Sequence, residues 1–331
     1  MEGLDHVKHL VKQNIWMAKL DLKDAYLTVP IHAADQHFLQ FIWKDRIFQF
    51  TCLAFGLASA PWAFTKLLKP VVSFLREQGI KIVVYLDDFL ILNECKVKLA
   101  QHVEMVKELL QSLGFVINLE KSMLVPDQLM EFLGLELDSR AMSKSLPESK
   151  RSSIVGLCKR LSKGDWASLR DLASLLGNFT WATHAVQFAQ AHFRWIQNLY
   201  IFGLKDNGGL MQAKVRLSKK AKGDLDWWIV NLMSSPGRSL LCPSPSLVIF
   251  SDASLSGWGA VCNGVRTGGP WTTAEADVHI NILELPAAFF ALQCYADSSR
   301  DCSIVLKIEN STAVCYINKL GGGRKALSYL N

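Results

Sequence analysis

Two stretches of this sequence put carboxylates where an apolar chain would be expected. In IKIVVYLDDFLILN (Ile80 to Asn93), Asp87 and Asp88 stand side by side inside a β-forming run. In MAKLDLKDAYLTVPI (Met17 to Ile31), Asp21 closes a short apolar segment and Asp24 follows it. Crowded acids repel and raise each other's pKa. They stay ionised together when a cation lies between them. Hard oxygen donors with open positions suit Mg2+, which keeps several waters and binds substrate phosphates. Two such ions roughly 3.5–4 Å apart can activate an attacking hydroxyl and stabilise a leaving oxygen. The competing reading is a pair of turn acids in a surface hairpin.

A second set of acids lies near the C-terminal end. Asp252 ends a strand-like segment in FSDAS, Glu284 sits in ILELPAA, and Glu309 ends LKIE before Asn310.

The elements that must position these groups can be read from periodicity. Met1 to about Asn14 reads as a short amphipathic helix, and MAKLDLKDAYLTVPI as a strand running through Asp21 and Asp24. HFLQFIWKDRIFQFT alternates, with Lys44-Asp45-Arg46 as a hairpin turn. Pro61 opens a helix that Gly79 ends. The segment carrying Asp87 and Asp88 is expected as two strands of a tight hairpin. With no Gly or Asn at the turn, Leu86–Asp87 must bend under strain. Ala100 to Leu113 has apolar residues at helical spacing, and FVINLEKSMLV and EFLGLELD read as short strands. This mixed order predicts an α+β domain over 1–142. Residues 143–233 read as helical, including a helix over roughly Ala185 to Tyr200 and a basic amphipathic helix leading to Trp227 and Trp228. The Pro- and Ser-rich 234–246 reads as a linker. Residues 247–331 restart as βββαβα.

The bulk composition fits this division. The 331 residues are 50% hydrophobic and 20% charged, enough for two or three separate cores and unlike a disordered chain. A net charge of +6 points weakly to a polyanionic partner. Eight cysteines form no CxxC pair, which argues against zinc and for reduced thiols. The charged start MEGLDHVKHLVKQN is no signal peptide, and no apolar run reaches transmembrane length. The expected location is intracellular, in nucleus or cytoplasm, without membrane contact.

Tyr85-Leu86-Asp87-Asp88 resembles the YxDD box of reverse transcriptases. LDLKDAY resembles their first catalytic motif and LAFGLASAP the substrate-side motif that follows. GFVINLEKS and EFLGLEL resemble the next two, in family order with family-like spacing. The wording is most similar to DIRS-type retrotransposons, then to Ty3-like elements. The resemblance implies an RNA-directed DNA polymerase using an RNA template, a DNA primer and dNTPs. Asp21 and Asp87 would hold two Mg2+ ions, with Mn2+ as a substitute, Asp88 assisting and Leu22 lending its carbonyl. Asp24, Ala25 and Tyr26 would meet the triphosphate and sugar, and Phe55 and Gly56 would line the nucleotide pocket. Lys121 would sit near the pyrophosphate. Phe132, Leu133 and Gly134 would form the turn that grips the primer. The helical region resembles a thumb and connection, where Arg160, Lys163, Arg170 and Arg194 either meet phosphates of an RNA–DNA hybrid or form a solvated helix face.

The C-terminal order, with Asp252, Glu284 and Glu309 as acids, resembles a ribonuclease H-like α/β domain. There, two metal ions serve hydrolysis of RNA in a hybrid. Glu309 stands where that family mostly has Asp, and Mg2+ demands near-ideal octahedral geometry. Against the family, the chain is expected to carry only a remnant of the fingers before Asp21 and a C-terminally incomplete ribonuclease H-like domain. The expected architecture is an α+β palm, a helical thumb/connection and an α/β ribonuclease H-like domain. The alternative is a catalytically inactive, transposon-derived chain that at most binds nucleic acid.

Overall fold

The computed structural model describes residues 2–241, 244–300 and 302–319. The chain divides into two units, 1–147 with 236–241, and 148–235 with 242–331.

The first unit runs α1 (Leu4–Leu10), β1 (Trp16–Lys23), β2 (Gln40–Trp43), β3 (Arg46–Gln49), α2 (Ala60–Glu77), β4 (Lys81–Tyr85) and β5 (Asp88–Asn93). It continues with α3 (Lys96–Ser112), β6 (Val116–Ile117), β7 (Met123–Asp127), β8 (Leu129–Phe132), β9 (Leu135–Asp138) and β10 (Ser143–Ser145). One sheet has the order β4-β5-β1-β6, with β7 also pairing β1. Both its faces are covered, which is why β4 and β5 read as nearly unbroken apolar runs. On one face Leu20, Ile82 and Phe89 pack with Phe64 and Leu68 of α2 and Leu99 and Val103 of α3. On the other, Met17, Val83 and Leu90 pack with Met130, Phe132 and Leu137.

Strand β4 is the edge of this sheet. Glu2 covers part of it: its N–H donates to the Val84 carbonyl at 3.3 Å, and its carboxylate accepts the Val84 N–H at 3.2 Å. Arg76 donates to both Glu2 carboxylate oxygens at 2.7 Å and to the Ile82 carbonyl at 2.8 Å.

Several local expectations change. The first helix is only Leu4–Leu10. The strand through Asp21 does not continue: Asp24 takes φ +50, a left-handed conformation, and a 3-10 turn over Ala25–Thr28 follows. Helix α3 starts at Lys96, one turn before Ala100, because Leu99 extends the buried stripe of Val103, Val106 and Leu110. The hairpin turn expected over Lys44-Asp45-Arg46 is shorter, Lys44–Asp45 at φ of +48 and +58, with Arg46 already paired to Trp43. Ile42, Trp43 and Ile47 of its hairpin are all strongly exposed.

The second unit begins with α4 (Glu148–Ser162), β11 (Trp166–Ser168), α5 (Leu169–Ala182), α6 (Arg194–Asp206), β12 (Lys214–Arg216) and α7 (Lys219–Asn231). The expected all-helical 143–233 therefore contains a small β11–β12 ladder. Lys214 to Arg216 fall on a strand, not on the basic helix, and a 3-10 turn over Ala189–Phe193 precedes α6. The helices close around Phe179 and Trp228, stacked at 4.1 Å and 11°. Asp224, buried, accepts the N–H groups of Trp195 and Ile196 in the first turn of α6.

The expected linker 234–246 is partly structural. Residues 236–241 return to the first unit, where β13 (Arg238–Ser239) pairs with β10 and Leu240 is buried. Gly237, at φ +84, passes so close that a Cβ would lie 2.6 Å from the Lys144 carbonyl. The first unit accordingly runs through β10 to Pro147, past the expected boundary at 142.

The remainder comprises β14 (Leu247–Ala253), β15 (Gly257–Cys262), β16 (Val265–Pro270), α8 (Thr273–Ala276), α9 (Ile280–Ala296), β17 (Ile304–Ile308) and α10 (Ser311–Asn318). The sheet order is β16-β15-β14-β17, with β14 and β17 parallel and the other pairs antiparallel. The anticipated βββαβα order is present, with the single turn α8 added. Among the described residues no helix is long and apolar enough to cross a membrane.

Candidate active site

The β1–β5 register places Asp21 directly opposite Asp88. Between β4 and β5 the chain turns in two residues, Leu86 and Asp87, since Tyr85 pairs with Asp88. Leu86 takes φ +56, a conformation that favours glycine, so the expected strain is present at this turn. The turn is tied to β1 by the Leu22 N–H, which donates to the Asp87 carbonyl at 3.0 Å. From the other side, the Asp21 N–H donates to Ser122 Oγ at 3.0 Å, and the Asn118 N–H donates to the Asp21 carbonyl at 2.8 Å. Ser122 and Asn118 were legible only as neighbours of Lys121; their part in holding Asp21 depends on the loop between β6 and β7.

Asp21, Asp87 and Asp88 thus come together, and their electrostatics show it. Burial pushes the Asp21 carboxyl up, and Asp88 and Asp87 push it further, while Lys121 and Lys19 pull it down. Burial also pushes Asp87 up, partly offset by its own backbone N–H, with Asp88 adding to the rise. Asp88 is 3.0 Å from the Lys19 ammonium across the sheet. Lys19 was not anticipated, although alternation along β1 puts it on the Asp21 face.

The nucleotide-side residues gather partly. Tyr26 lies between Phe55, at 5.5 Å, and Phe64, at 5.4 Å edge-on. Its hydroxyl is pushed up by burial and then by the Asp87 charge, which places it near the acids. Phe55 is 70% exposed, so its ring is open to a ligand. Gly56 follows it at φ +90, and Ala25 is buried. Asp24 and Lys121 are exposed. The primer-side expectation needs correcting in one respect. Phe132 is fully buried in the core, so its ring cannot touch a ligand. What this hairpin can present is its tip, Leu133 and Gly134, at φ +49 and +72.

Asp252 on β14, Glu284 on α9 and Glu309 after β17 also converge. Glu284 is buried and its carboxyl is pushed up to about 7, by burial first, then by Asp252 and Glu309; the Ala253 N–H opposes the shift. Its Oε2 is buried without a hydrogen-bond partner. Asp252 and Glu309 are exposed and open to solvent. Among the described residues no three His, Cys, Asp or Glu side chains form a ready metal cage. Both clusters nevertheless supply hard oxygens whose repulsion a divalent cation would relieve, so their chemistry fits Mg2+.

One consequence is measurable. The folded state holds a proton on Glu284 up to about 7, above the ordinary carboxylate range. That contribution to stability is full below pH 4.5 and is lost as pH rises towards 7. Glu284→Gln is therefore expected to flatten the pH dependence and raise stability at pH 8 by about 1–2 kcal/mol, discounted for partial solvation. Thermal melts at pH 5 and pH 8 measure it, and an unchanged slope would refute it.

The strained two-residue turn thus sets Asp87 beside Asp21, with Asp88 directly opposite Asp21 on the neighbouring strand. Residues 2–137 match the family model for reverse transcriptase (RNA-dependent DNA polymerase). The transposon Tf2-3 polyprotein of Schizosaccharomyces pombe is 26% identical over 125 residues, 38% of this chain and 9% of the polyprotein. Protein P of duck hepatitis B virus is 24% identical over 201 residues, 60% of this chain and 23% of that protein. The chain thus spans a small part of the curated relatives it matches. A foamy viral protease-reverse transcriptase, solved in complex with an RNA/DNA hybrid, shares the fold with a TM-score of 0.63 at 18% identity. That match covers 100% of this chain and 44% of the viral one. Over residues 2–137 the chain is thus similar to the reverse transcriptase domains carried by retroelement polyproteins.

Proposed function

We propose that this chain performs RNA-directed DNA synthesis through two Mg2+ ions at Asp21 and Asp87, as part of a retroelement polyprotein. The observation that carries the reading is Asp87, held on a strained turn beside Asp21 by the Leu22–Asp87 hydrogen bond. When bound, the ions would supply charge neutralisation and an activated primer hydroxyl. The chain's own residues supply placement. Tyr26, wedged between Phe55 and Phe64, lies under the sugar of the incoming dNTP and excludes a 2′-hydroxyl. Phe55 and Gly56 line the base, Asp24 and Ala25 offer backbone amides to the triphosphate, and Leu22 its carbonyl to a metal. Lys121, whose charge reaches both Asp21 and Asp87, draws off pyrophosphate charge. Leu133 and Gly134 steady the primer end.

In this reading 1–147 is the palm with part of the fingers, 148–235 the thumb and connection, and 247–331 a ribonuclease H-like domain. The β14–β17 topology and the meeting of Asp252, Glu284 and Glu309 support the last assignment. The motif wording places the element nearest DIRS-type, then Ty3-like, retrotransposons. The substrates are a primed RNA template and dNTPs inside the cell.

Incorporation on a primed RNA template is expected to stop on chelation and to return with Mg2+ or Mn2+. Extension that persists under excess chelator, or none with either metal, would overturn the proposal.

A further inference from the structure

The Asp88 carboxylate has a partner other than a metal. In an antiparallel pair, directly opposed residues share a face, and diagonal neighbours lie within reach of long side chains. Asp21 faces Asp88 and Lys19 faces Leu90, so Lys19, Asp21 and Asp88 occupy one face of the sheet. Lys19 Nζ lies 3.0 Å from Asp88 Oδ1, with side-chain exposures of only 17% and 22%. A partly covered ion pair is screened less than a surface one. Asp88 Oδ1 is buried without a hydrogen-bond partner, so the Lys19 charge is what faces it. Around the pair the face is apolar, with Met17, Leu90 and Met130 fully buried. The lysine stem can lie along that surface. A metal taking Asp88 Oδ1 would strip the ammonium of its partner in a largely covered place, which is unfavourable.

We infer that Lys19 is a built-in counter-cation that holds Asp88 out of the metal set, leaving Asp21 and Asp87 as the side-chain ligands. Lys19 is then a positioning residue. It cancels the third negative charge of the cluster and fixes which two oxygen donors face the substrate. Lys121 differs in place rather than in sign: it is exposed and, among the described residues, no ion pair ties it to these acids, whereas Lys19 pairs with Asp88; both lower the pKa of Asp21 and Asp87.

The inference rests on the two-ion reading of the palm, and direct metal binding separates the two. The readout is free Mn2+ in a titration of the folded chain, followed by electron paramagnetic resonance. Lys19→Met is expected to tighten Mn2+ about tenfold by freeing Asp88, whereas Lys19→Arg, which keeps the charge, stays near the unmutated value. The double variant Lys19→Met with Asp88→Asn removes both charges and is expected to return within about threefold of the unmutated chain. A merely structural lysine would never tighten binding. Tightening of less than about threefold in Lys19→Met, or a loss above about threefold in the double variant, overturns the inference. Should Lys19→Met fail to fold, Lys19→Gln carries the same expectations. If the unmutated chain binds no Mn2+, or Asp87→Asn binds as well as it does, the two-ion reading itself falls.

Discussion

Replacing Asp87 by asparagine is expected to lower single-nucleotide incorporation on a primed RNA template by about 10³-fold or more, equivalent to at least ~4 kcal/mol of transition-state stabilisation. The amide keeps the shape of the turn and removes the charge. Asp87 is one of the three acids that the fold brings together, held on a fixed backbone by the Leu22–Asp87 hydrogen bond and the β4–β5 register. An isosteric change there leaves placement intact, so the loss falls on the chemical step rather than on template binding. Stability should move the other way. Burial and Asp88 push the Asp87 carboxyl up, so its ionised form is strained in the folded chain without metal. Asp87→Asn is therefore expected to melt at the same temperature or slightly higher without metal at neutral pH. Single-turnover extension and a thermal melt on one preparation test both halves. Undiminished extension would remove Asp87 from the chemistry, and a large drop in melting temperature would make its role structural.

Trp228→Ala is expected to cost about 3–5 kcal/mol of stability, the largest loss from a single core change in the second unit. Trp228 is fully buried, stacks on Phe179 at 4.1 Å, and its Nε1–H donates to the His192 carbonyl at 2.8 Å. Truncation opens a cavity and leaves that carbonyl unpaired. Its neighbour Trp227 is a built-in control. It is half-buried and stacks on the His192 ring at 3.9 Å, so Trp227→Ala should cost less than about half as much. Urea denaturation of the two variants side by side checks the ordering. Equal losses would mean that the Phe179–Trp228 stack is not the centre of this core.

Much of the first unit could be read from the chain because its signals are local. Alternation in β2 and β3, Pro61 and Gly79 around α2, and unbroken apolar runs flanking Asp87 each name an element without tertiary information. The strain at Leu86 was legible for the same reason, since a two-residue turn without Gly or Asn has few conformations open to it. The misses are long-range. Arg238–Ser239 sits in a Pro- and Ser-rich stretch, and only the distant β10 makes it a strand. The ladder of Trp166–Ser168 with Lys214–Arg216 joins segments too short to show periodicity. Asp24 ends β1 through a left-handed backbone that its side chain does not announce. Phe132 sits in a primer-side motif by sequence, yet alternation along β8 turns its ring into the core. Lys19 escaped notice because a lysine two residues before an acid looks like any solvated charge until the opposite strand supplies Asp88.

The contact between Glu2 and Val84 also bears on self-association. An edge strand with open N–H and C=O groups is a template on which a second chain can add. Here the exposed side of β4, two residues before the strained Leu86–Asp87 turn, is partly occupied by Glu2, whose backbone N–H and carboxylate take both polar groups of Val84 while Arg76 pins it. The fold thereby guards the sheet that carries Asp21 and Asp88 against strand addition, and a second molecule approaching that edge meets an arginine–glutamate pair instead of open backbone.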